Sequence, residues 1–270
     1  MNLKNARVIL TGAAGGIGSH IARELAARGA HVLLVGRRED ALKDLQQELQ
    51  DANGKSSFVV ADLASHTGRQ ALVEQATEQL GGIDILVNNA GISSYSLFSE
   101  EDPEAIERLY QTNLIAPVTL TRLVLPQMIE QGHGQIVNVG SIFGSIGFAC
   151  FANYSSSKFA MRGFSEALRR ELEDENIKVT YVAPRAVRTP INSPEVYRMA
   201  EAVKMKMDEP EAVAKQLVAA IEQERKDVYL GFPEKLFVRI NGLWPRLVDG
   251  ALRAQNKIMR KILKESPAKP

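Results

Sequence analysis

The sequence predicts an α/β fold in which a single domain is built around a doubly wound sheet of seven parallel strands. Short apolar runs bounded by turn residues recur along the chain, and stretches with apolar residues at spacings of three and four separate them. A parallel neighbour needs a crossover connection, which an intervening helix supplies. Nothing in the composition divides the 270 residues into two halves. The seven runs are residues 7–10, 32–35, 58–60, 83–87, 135–139, 178–182 and 228–230.

The stretches between these runs carry the helical spacing, as in Ile21, Leu25 and Ala26 after the first run. Two segments depart from simple alternation. Residues 190–208, after the sixth run, are predicted to form a lid over a binding site. Residues 232–270 are predicted to form a helical extension beyond the domain of residues 1–231.

The C-terminal extension is basic and amphipathic, because an apolar stripe is flanked by basic side chains. Such a segment can lie at a membrane surface, where Trp244 among leucines and arginines suits the interface. It can equally dock on its own core or on a partner subunit. The stripe comprises Leu236, Phe237, Ile240, Leu243, Trp244, Leu247, Val248 and Leu252, and the flanking cations are Lys235, Arg239, Arg246, Arg253, Lys257, Arg260, Lys261 and Lys264.

The composition argues against several classes of function. The 33 basic and 32 acidic residues leave a formal net charge of +1, so whole-chain electrostatics give no reason to expect nucleic-acid binding. Cys150 is the sole cysteine, which rules out intramolecular disulfides, and the four histidines show no metal-ligand spacing. No stretch reaches the ~18 apolar residues that a membrane-spanning helix needs. We expect a cytoplasmic protein without a bound metal ion.

A glycine-rich turn, Thr11-Gly12-Ala13-Ala14-Gly15-Gly16-Ile17-Gly18, follows the first apolar run. Glycines between a strand and a helix let backbone N–H groups approach a pyrophosphate, and the positive end of the helix adds favourable charge. We place Gly12, Gly16 and Gly18 at that contact; a purely structural turn is the alternative. The turn lacks the Lys-Ser/Thr ending of a P-loop, which disfavours a kinase or an ATPase.

The second run ends in Gly36-Arg37-Arg38. An acidic residue at this position would hold the ribose 2′-hydroxyl of NAD, whereas a guanidinium would bind the 2′-phosphate of NADP through charge-assisted hydrogen bonds. The sequence therefore favours NADP(H) as cofactor. The alternative is that both arginines are solvated at the start of the next helix.

Tyr154 and Lys158 are four residues apart and are predicted to share one face of a helix that begins near Asn153. An adjacent ammonium and a helix N-terminus favour an ionised phenol, so we expect a lowered pKa for Tyr154 and proton exchange with a substrate oxygen. Ser141, at the carboxyl end of the fifth run, can donate a hydrogen bond to the same oxygen. Ser145 is a rival, which its greater distance from the strand end disfavours.

Taken together and in order, these motifs resemble the short-chain dehydrogenase/reductase family over residues 8–189. The resemblance is specific because several motifs agree in sequence order. They comprise the glycine-rich turn, Asp62 after the third run, Asn88-Asn89-Ala90-Gly91 after the fourth, Asn113, Ser141, and Tyr154-Ser155-Ser156-Ser157-Lys158.

The resemblance implies a Rossmann-like fold, hydride transfer to or from a nicotinamide, and a homodimer that pairs through the helices carrying Asn113 and Tyr154. Tyr154 would be the acid and base, Lys158 would lower its pKa and hold the nicotinamide ribose, and Asn113 would position a water that relays protons to Lys158. Asp62 and Asn88-Asn89-Ala90 would border the adenine and brace the sheet. The implied cofactor contacts are Gly12, Ala14, Gly16, Ile17, Gly18, Arg37, Arg38, Asp62, Leu63, Asn89, Ala90, Gly91, Tyr154, Lys158, Pro184, Val187 and Thr189.

One departure from the family pattern follows the sixth run, where Arg185 stands in place of the usual glycine. Val187 and Thr189 still match the positions that would touch the nicotinamide carboxamide. We expect Arg185 and Arg188 either to face solvent or to meet an anionic group of the substrate.

The expected activity is that of an NADPH-dependent carbonyl reductase, which would act on a small hydrophobic ketone or secondary alcohol. The side chains predicted to face the substrate are apolar, which favours such a ligand over a sugar. An NAD-dependent hydroxy-compound dehydrogenase and a non-catalytic NADP(H)-binding sensor are the alternatives. The predicted lining comprises Ile142, Phe143, Ile146, Phe148, Cys150, Phe151, Met199, Met205 and Met207.

Overall fold

A computed structural model describes residues 1–265 and contains one sheet of seven parallel strands in the order β3-β2-β1-β4-β5-β6-β7. This arrangement confirms the predicted Rossmann-like α/β fold. The strands are β1 (Arg7–Thr11), β2 (His31–Gly36), β3 (Lys55–Val60), β4 (Ile85–Asn88), β5 (Gly134–Val139), β6 (Ile177–Ala183) and β7 (Asp227–Tyr229).

Helices lie between the strands and after the last one. A π-helical turn, Gln111–Ile115, joins the fourth helix to the fifth. The helices are α1 (Gly16–Ala27), α2 (Glu39–Asp51), α3 (His66–Leu80), α4 (Pro103–Tyr110), α5 (Ala116–Gln131), α6 (Ala152–Glu171), α7 (Pro194–Ala202), α8 (Pro210–Glu222), α9 (Glu234–Leu243) and α10 (Pro245–Glu265).

Apolar side chains cover both faces of the sheet, because neighbouring residues of a strand point to opposite sides. In β1, Val8 and Leu10 belong to a core with α1, α2 and α8, whereas Ile9 belongs to a second core with α3, α5 and α6. Burial on both faces explains why the central strands read as continuous apolar runs rather than alternating ones. The two cores hold the carboxyl ends of the strands in fixed positions.

The predicted strands are found, and two of the predicted bounds are wrong by more than one residue. The third strand begins at Lys55 rather than at Phe58, since β3 is an edge strand that pairs with β2 over its whole length and tolerates polar residues. The fourth begins at Ile85 rather than at Ile83. Just before it, the Asp84 carboxylate accepts hydrogen bonds from the backbone N–H and the guanidinium of Arg7.

The chain changes direction across the sheet between β1 and β4, which lie side by side although the chain first builds β2 and β3 on the other side of β1. In an open α/β sheet, such a switch point leaves a crevice at the carboxyl ends of the strands. The glycine-rich turn after β1 and the Asn88 segment after β4 meet at this crevice. Ser141 follows β5 one strand further along.

The segment predicted as a lid contains one helix, α7, and its ends are tied together. Val187 and Asp208 form a parallel bridge, with hydrogen bonds from Arg188 N to Asp208 O and from Asp208 N to Ala186 O. Residues 190–208 therefore leave the body of the protein and return to it at one place. Its role as a lid stays a prediction.

The C-terminal extension forms two helices, which are separated at Trp244 because Pro245 disfavours helical backbone at the residue before it. Part of the extension packs on its own chain: Met259 is buried among lid residues, and its carbonyl accepts a hydrogen bond from the Tyr95 hydroxyl at 2.8 Å. Residues 266–270 of the predicted extension lie outside the described residues. Within residues 1–265, no helix is both long enough and apolar enough to cross a membrane.

Candidate active site

The glycine-rich turn forms one wall of a groove at the switch point. Gly12 has a positive φ of 65°, and α1 begins at Gly16 with Gly15 as its N-cap residue, so no side chain caps the first N–H groups of the helix. The groove is lined by Gly12, Ala14, Gly15, Gly16, Ile17, Gly18, Gly36, Arg37, Arg38, Asn89, Ala90, Gly91, Thr189, Pro190 and Ile191.

Three of these glycines, Gly12, Gly16 and Gly18, are required by close contacts. A Cβ atom at Gly12 would lie 2.9 Å from Ala90 Cα, and one at Gly16 would lie 2.6 Å from Thr189 Cβ. The Thr11 hydroxyl holds the facing segment in place, because it accepts hydrogen bonds from the backbone N–H groups of Asn89 and Ala90 at 2.9 and 3.1 Å. The turn after β1 is thus fitted against the segment after β4.

Arg37 and Arg38 lie at the end of the groove that continues from β2. Arg38 donates a hydrogen bond to the Ala14 carbonyl at 3.0 Å and so braces the turn, whereas the exposed Arg37 has no hydrogen-bond or ion-pair partner among the described residues. The nearest acidic residue in sequence, Glu39, pairs with Lys43 at 2.8 Å. The groove therefore ends in a guanidinium pair.

Asp62 and Leu63 lie beside the groove and do not line it. They follow the edge strand β3, where Asp62 is exposed and accepts a hydrogen bond from the Ala64 N–H at 3.0 Å. The Leu63 carbonyl accepts one from Arg69 at 2.6 Å. The structure assigns this loop a local structural role, and its contact with an adenine stays a prediction.

Tyr154 and Lys158 lie in the first turns of α6 and line the same cleft. The Lys158 ammonium is 5.7 Å from the centre of the Tyr154 ring and donates a hydrogen bond to the Val139 carbonyl at 3.1 Å. That carbonyl ends β5, so the lysine is fixed at the carboxyl edge of the sheet. The two side chains lie on one side of their helix, as their spacing predicts.

The pKa of Tyr154 does not shift in the direction that the sequence predicts. Burial raises the pKa of Tyr154, and a hydrogen bond with Ser141 lowers this pKa by less. Burial also lowers the pKa of Lys158, to about 8. The expected lowering of the Tyr154 pKa is therefore wrong for this structure, because desolvation of the phenolate outweighs the favourable hydrogen bond. At neutral pH Tyr154 is a protonated phenol, which can donate a proton.

Ser141 lies after β5 and caps a short 3₁₀ turn, Ile142–Gly144, and its hydroxyl oxygen accepts a hydrogen bond from the Phe143 N–H at 3.1 Å. The hydroxyl proton points into the same site as Tyr154, where it can be donated to the phenol oxygen or to a substrate oxygen. Ser145 does not line the cleft; it is buried and accepts a hydrogen bond from Arg162 at 3.0 Å. The geometry agrees with the choice of Ser141 over its rival.

Asn113 lies in the π-helical turn rather than in a regular helix. Its side-chain amide accepts a hydrogen bond from the Ile92 N–H at 2.8 Å and donates one to the Ile92 carbonyl at 2.9 Å. The carbonyl oxygen of its side chain and the Lys158 ammonium both lie within 4 Å of the position that a Cβ of Gly91 would occupy. Asn113 thus ties the segment after β4 to the helix beside Lys158, and its water relay stays a prediction.

Arg185 behaves differently from both alternatives considered for it. Its guanidinium forms two hydrogen bonds with the Asp208 carboxylate, at 2.9 and 2.6 Å, and an ion pair with Glu234 at 3.2 Å. It neither faces solvent nor is free for a substrate anion, because two carboxylates from the lid end and from α9 engage it. Arg188 pairs with Glu209 at the surface.

A cleft around Tyr154 joins the groove. Val187, Thr189 and Pro184 line it from the β6 side, as the family pattern predicts, and five residues of its lining also line the groove. Sequence reasoning missed Ile92, Ser93, Asn192 and Val196; Ile92 and Ser93 directly follow the Asn88 motif, which was the available signal. The shared residues are Ile17, Asn89, Gly91, Thr189 and Ile191.

The predicted apolar lining divides between two spaces. Phe143, Phe151, Met199 and Met205 line the cleft at Tyr154, whereas five of the predicted residues line a second space beside the C-terminal helices. Cys150 and Met207 line neither space. The five residues beside the C-terminal helices are Ile142, Phe143, Ile146, Phe148 and Met205.

A family model described as short chain dehydrogenase matches residues 6–200. The chain belongs to the short-chain dehydrogenase family. This short-chain dehydrogenase is therefore an oxidoreductase, and its family membership agrees with the order of motifs in the sequence. The match ends within the lid, so it does not include the two C-terminal helices.

Individual relatives extend the similarity further. This short-chain dehydrogenase is 34% identical over 269 residues to the uncharacterized oxidoreductase YxnA of Bacillus subtilis. The aligned residues cover 95% of this chain and 73% of the relative. A structure of a variant of actinorhodin polyketide ketoreductase with NADPH has a TM-score of 0.76 and 29% identity, covering 85% of this chain and 97% of the other. A short chain dehydrogenase/reductase from Burkholderia phymatum, in complex with NAD, has a TM-score of 0.84 and 21% identity, with 92% and 96% coverage, and shows the shared fold.

Proposed function

We propose that this protein is an NADPH-dependent carbonyl reductase that acts on a hydrophobic ketone, or on the corresponding secondary alcohol in the reverse direction. One observation carries the proposal. Tyr154, Lys158 and Ser141 line a cleft that shares its wall with the groove of the glycine-rich turn. A cofactor in the groove would reach the cleft that holds the acid and the hydrogen-bond donor.

The groove fits a dinucleotide. Its walls approach so closely that a Cβ at Gly12 or Gly16 would meet the opposite segment, and the uncapped N–H groups of α1 face it. Gly12, Gly16 and Gly18 would hold the pyrophosphate, and Lys158 would hold the nicotinamide ribose. When bound, the nicotinamide supplies or accepts the hydride.

The side chains of the cleft supply the remaining chemistry. The Ser141 hydroxyl donates a hydrogen bond to the substrate carbonyl and fixes its orientation. As the carbonyl carbon receives the hydride, its oxygen takes the proton of the Tyr154 phenol, so a ketone becomes an alcohol. The raised pKa of Tyr154 keeps this proton in place until the oxygen gains negative charge.

The nearby positive charge supports the second half of the transfer. A protonated Lys158, 5.7 Å from the Tyr154 ring, stabilises the phenolate that remains after the proton has left. With a pKa near 8, Lys158 can also pass a proton back to the tyrosinate. Asn113 supports the segment beside it and would hold the water that returns the proton.

Arg37 and Arg38 support the preference for NADP(H). Both lie in the groove where the second strand ends, and the free guanidinium of Arg37 can bind a 2′-phosphate. Actinorhodin polyketide ketoreductase, 29% identical to this chain, was solved with NADPH. An NAD-dependent dehydrogenase is the alternative, and cofactor affinities decide between the two.

Activity assays with Tyr154→Phe test the proposal. The wild type is expected to oxidise NADPH in the presence of hydrophobic methyl ketones, and the variant to lose ~100-fold or more of this rate because it lacks the acid. The variant should still bind NADPH, since the phenol does not line the groove. If the wild type binds NADPH but reduces no ketone or aldehyde, the protein is a non-catalytic cofactor sensor and the proposal fails.

We also propose that α9 and the start of α10 contact anionic membranes peripherally. Leu243, Trp244 and Leu247, at the junction of the two helices, are 61–69% exposed, and Arg246 lies among them; Phe232, just before α9, is 73% exposed. Exposed apolar area together with cations is typical of interfacial segments.

We propose a homodimer that pairs through α6 and the π-helical turn. The exposed side chains of Ile115 and Phe159 support this proposal, since both are apolar and would be buried against the second copy in the dimer. Phe159→Glu is expected to yield a monomer in sedimentation measurements, and an unchanged mass would reject this interface.

A further inference from the structure

A second cavity, of about 670 Å³, lies beside the catalytic cleft. Three parts of the chain enclose it: the loop after Ser141, the end of the lid, and the helices α9 and α10. Its size lies within the range of small-molecule sites. It is lined by Ile142, Phe143, Ile146, Phe148, Arg185, Ala186, Val203, Lys204, Met205, Lys206, Pro233, Glu234, Phe237, Ile240, Leu247, Val248, Ala251, Leu252 and Gln255.

The inner surface of this cavity is apolar. Ile142, Ile146, Val238 and Val248 form a buried cluster against which Ile240 and Leu252 pack. Of the charged side chains at the wall, Arg185 and Glu234 pair with each other, whereas Lys204 and Lys206 are exposed at the rim. Among the described residues, the cavity therefore offers apolar contacts without an unpaired buried charge, which suits a hydrocarbon chain.

The cavity is continuous in its lining with the catalytic cleft. Phe143, Arg185, Ala186 and Met205 line both spaces. The Phe143 ring stacks on Phe148, with ring centres 4.3 Å apart, and presents its edge to Tyr154 at 6.1 Å. Phe143 thus stands between the proton donor and the cavity, where a chain attached to the reacting carbonyl would pass.

We propose that this cavity binds the long apolar chain of the substrate, so that the enzyme acts on long-chain ketones whose carbonyl lies at Ser141 and Tyr154. The inference rests on the proposed carbonyl reductase function and adds a substrate class to it. It also gives the C-terminal helices a role, since α9 and α10 form one wall of the chain site. The apolar chain of the substrate would lie between this wall and the end of the lid.

A series of methyl ketones from butanone to dodecanone, each below its solubility limit and with saturating NADPH, tests the proposal. Each methylene that enters the cavity is expected to raise kcat/KM by up to about fourfold, the ratio that corresponds to ~0.8 kcal/mol per buried CH₂. The rise should level off once the chain fills the cavity. Equal kcat/KM values from butanone to dodecanone would overturn the inference.

A pair of matched substitutions on α10 tests where the apolar chain of the substrate lies. Ala251 lines the cavity and Ala254, three positions further along α10, does not, although both are exposed. Ala251→Trp is expected to lower the ratio of kcat/KM for dodecanone to that for butanone by at least ~10-fold, because the indole occupies chain volume. Ala254→Trp should keep the wild-type ratio. Ile240→Trp, on α9, should act like Ala251→Trp.

The outcomes separate the two proposals. If NADPH binds and no ketone is reduced, the carbonyl reductase function fails. If butanone is reduced and the chain-length dependence is absent, the function stands and the chain site is wrong. If the dependence is present but neither Ala251→Trp nor Ile240→Trp alters the ratio, the chain lies elsewhere and the inference is overturned.

Discussion

Replacing Arg185 with alanine should weaken the contact of the lid end and α9 with the loop that follows β6. The Arg185 side chain contacts both parts, through two hydrogen bonds with Asp208 and an ion pair with Glu234, in addition to the backbone bridge between Val187 and Asp208. Its backbone follows β6, whereas Asp208 ends the lid and Glu234 begins α9. Removal of the guanidinium leaves two carboxylates close to each other without a cation.

The burial of the three groups sets the magnitude. The side chains of Arg185, Asp208 and Glu234 are 15%, 23% and 24% exposed. Loss of one partner of a fully buried pair costs about 3–5 kcal/mol, and exposed pairs contribute about 0–1 kcal/mol. For this mostly buried arrangement we expect Arg185→Ala to lower the free energy of unfolding by about 2–3 kcal/mol. That loss corresponds to a melting temperature lower by about 4–10 °C.

Thermal unfolding followed by circular dichroism, with urea unfolding for the free energy, measures the effect. Urea is uncharged and does not screen the ion pairs, unlike guanidinium chloride. Arg188→Ala is the matched control, because Arg188 lies in the same loop and pairs with Glu209 while both side chains are more than half exposed. Its loss should stay below about 1 kcal/mol.

Arg185→Lys should recover only part of the stability, since a single ammonium cannot make the bidentate contact with Asp208. Limited proteolysis provides a second measurement, with faster cleavage around α9 expected in Arg185→Ala. Equal melting temperatures and equal cleavage for Arg185→Ala and Arg188→Ala would refute the reasoning. The three-part contact would then contribute nothing beyond a surface ion pair.

Three further predictions concern the cofactor, the lysine and the C-terminal helices. Arg37→Ala should weaken NADP(H) binding by ~10- to 100-fold in fluorescence titrations, as loss of a charge-assisted hydrogen bond predicts, and equal loss for NAD(H) would remove its role. Between pH 8 and 10 the free energy of unfolding of the wild type should rise by roughly 2–3 kcal/mol relative to that of Lys158→Met. In this range Lys158, with its pKa near 8, loses its proton in the folded protein, whereas the unfolded side chain still binds one. Parallel pH curves for the two proteins would contradict this. The double variant Trp244→Ala, Leu247→Ala should sediment less with anionic vesicles than the wild type, and unchanged co-sedimentation would exclude these residues from membrane contact.

Local sequence was sufficient for the strands and for the order of the motifs. The central strands are buried on both faces and therefore read as uninterrupted apolar runs, and helical spacing separates them. Tyr154 and Lys158 reach the same cleft because residues four apart on a helix share a face. Likewise, Ser141 comes two residues after the end of the buried strand β5, and the carboxyl ends of parallel strands lie at one edge of the sheet.

Properties that depend on partners distant in sequence were decided by the tertiary structure. Arg185 is paired with Asp208, the last residue of the lid, and with Glu234 in α9, so its neighbours in sequence gave no indication of them. Desolvation by the surrounding fold raises the pKa of Tyr154, although the lysine four residues away predicts the opposite. Asn113 meets the Ile92 backbone through a π-helical turn.

The second cavity is likewise a feature that only the tertiary structure decided. Its walls come from the loop after β5, the lid end and two helices near the C-terminus, and each segment by itself reads as an ordinary amphipathic or apolar stretch. A side chain's chemistry and its spacing along the chain are local and can be read from the sequence. Burial, ion pairing between distant segments and enclosed volume arise only when those segments pack together, and they are the properties that set the pKa of the acid and the shape of the proposed chain site.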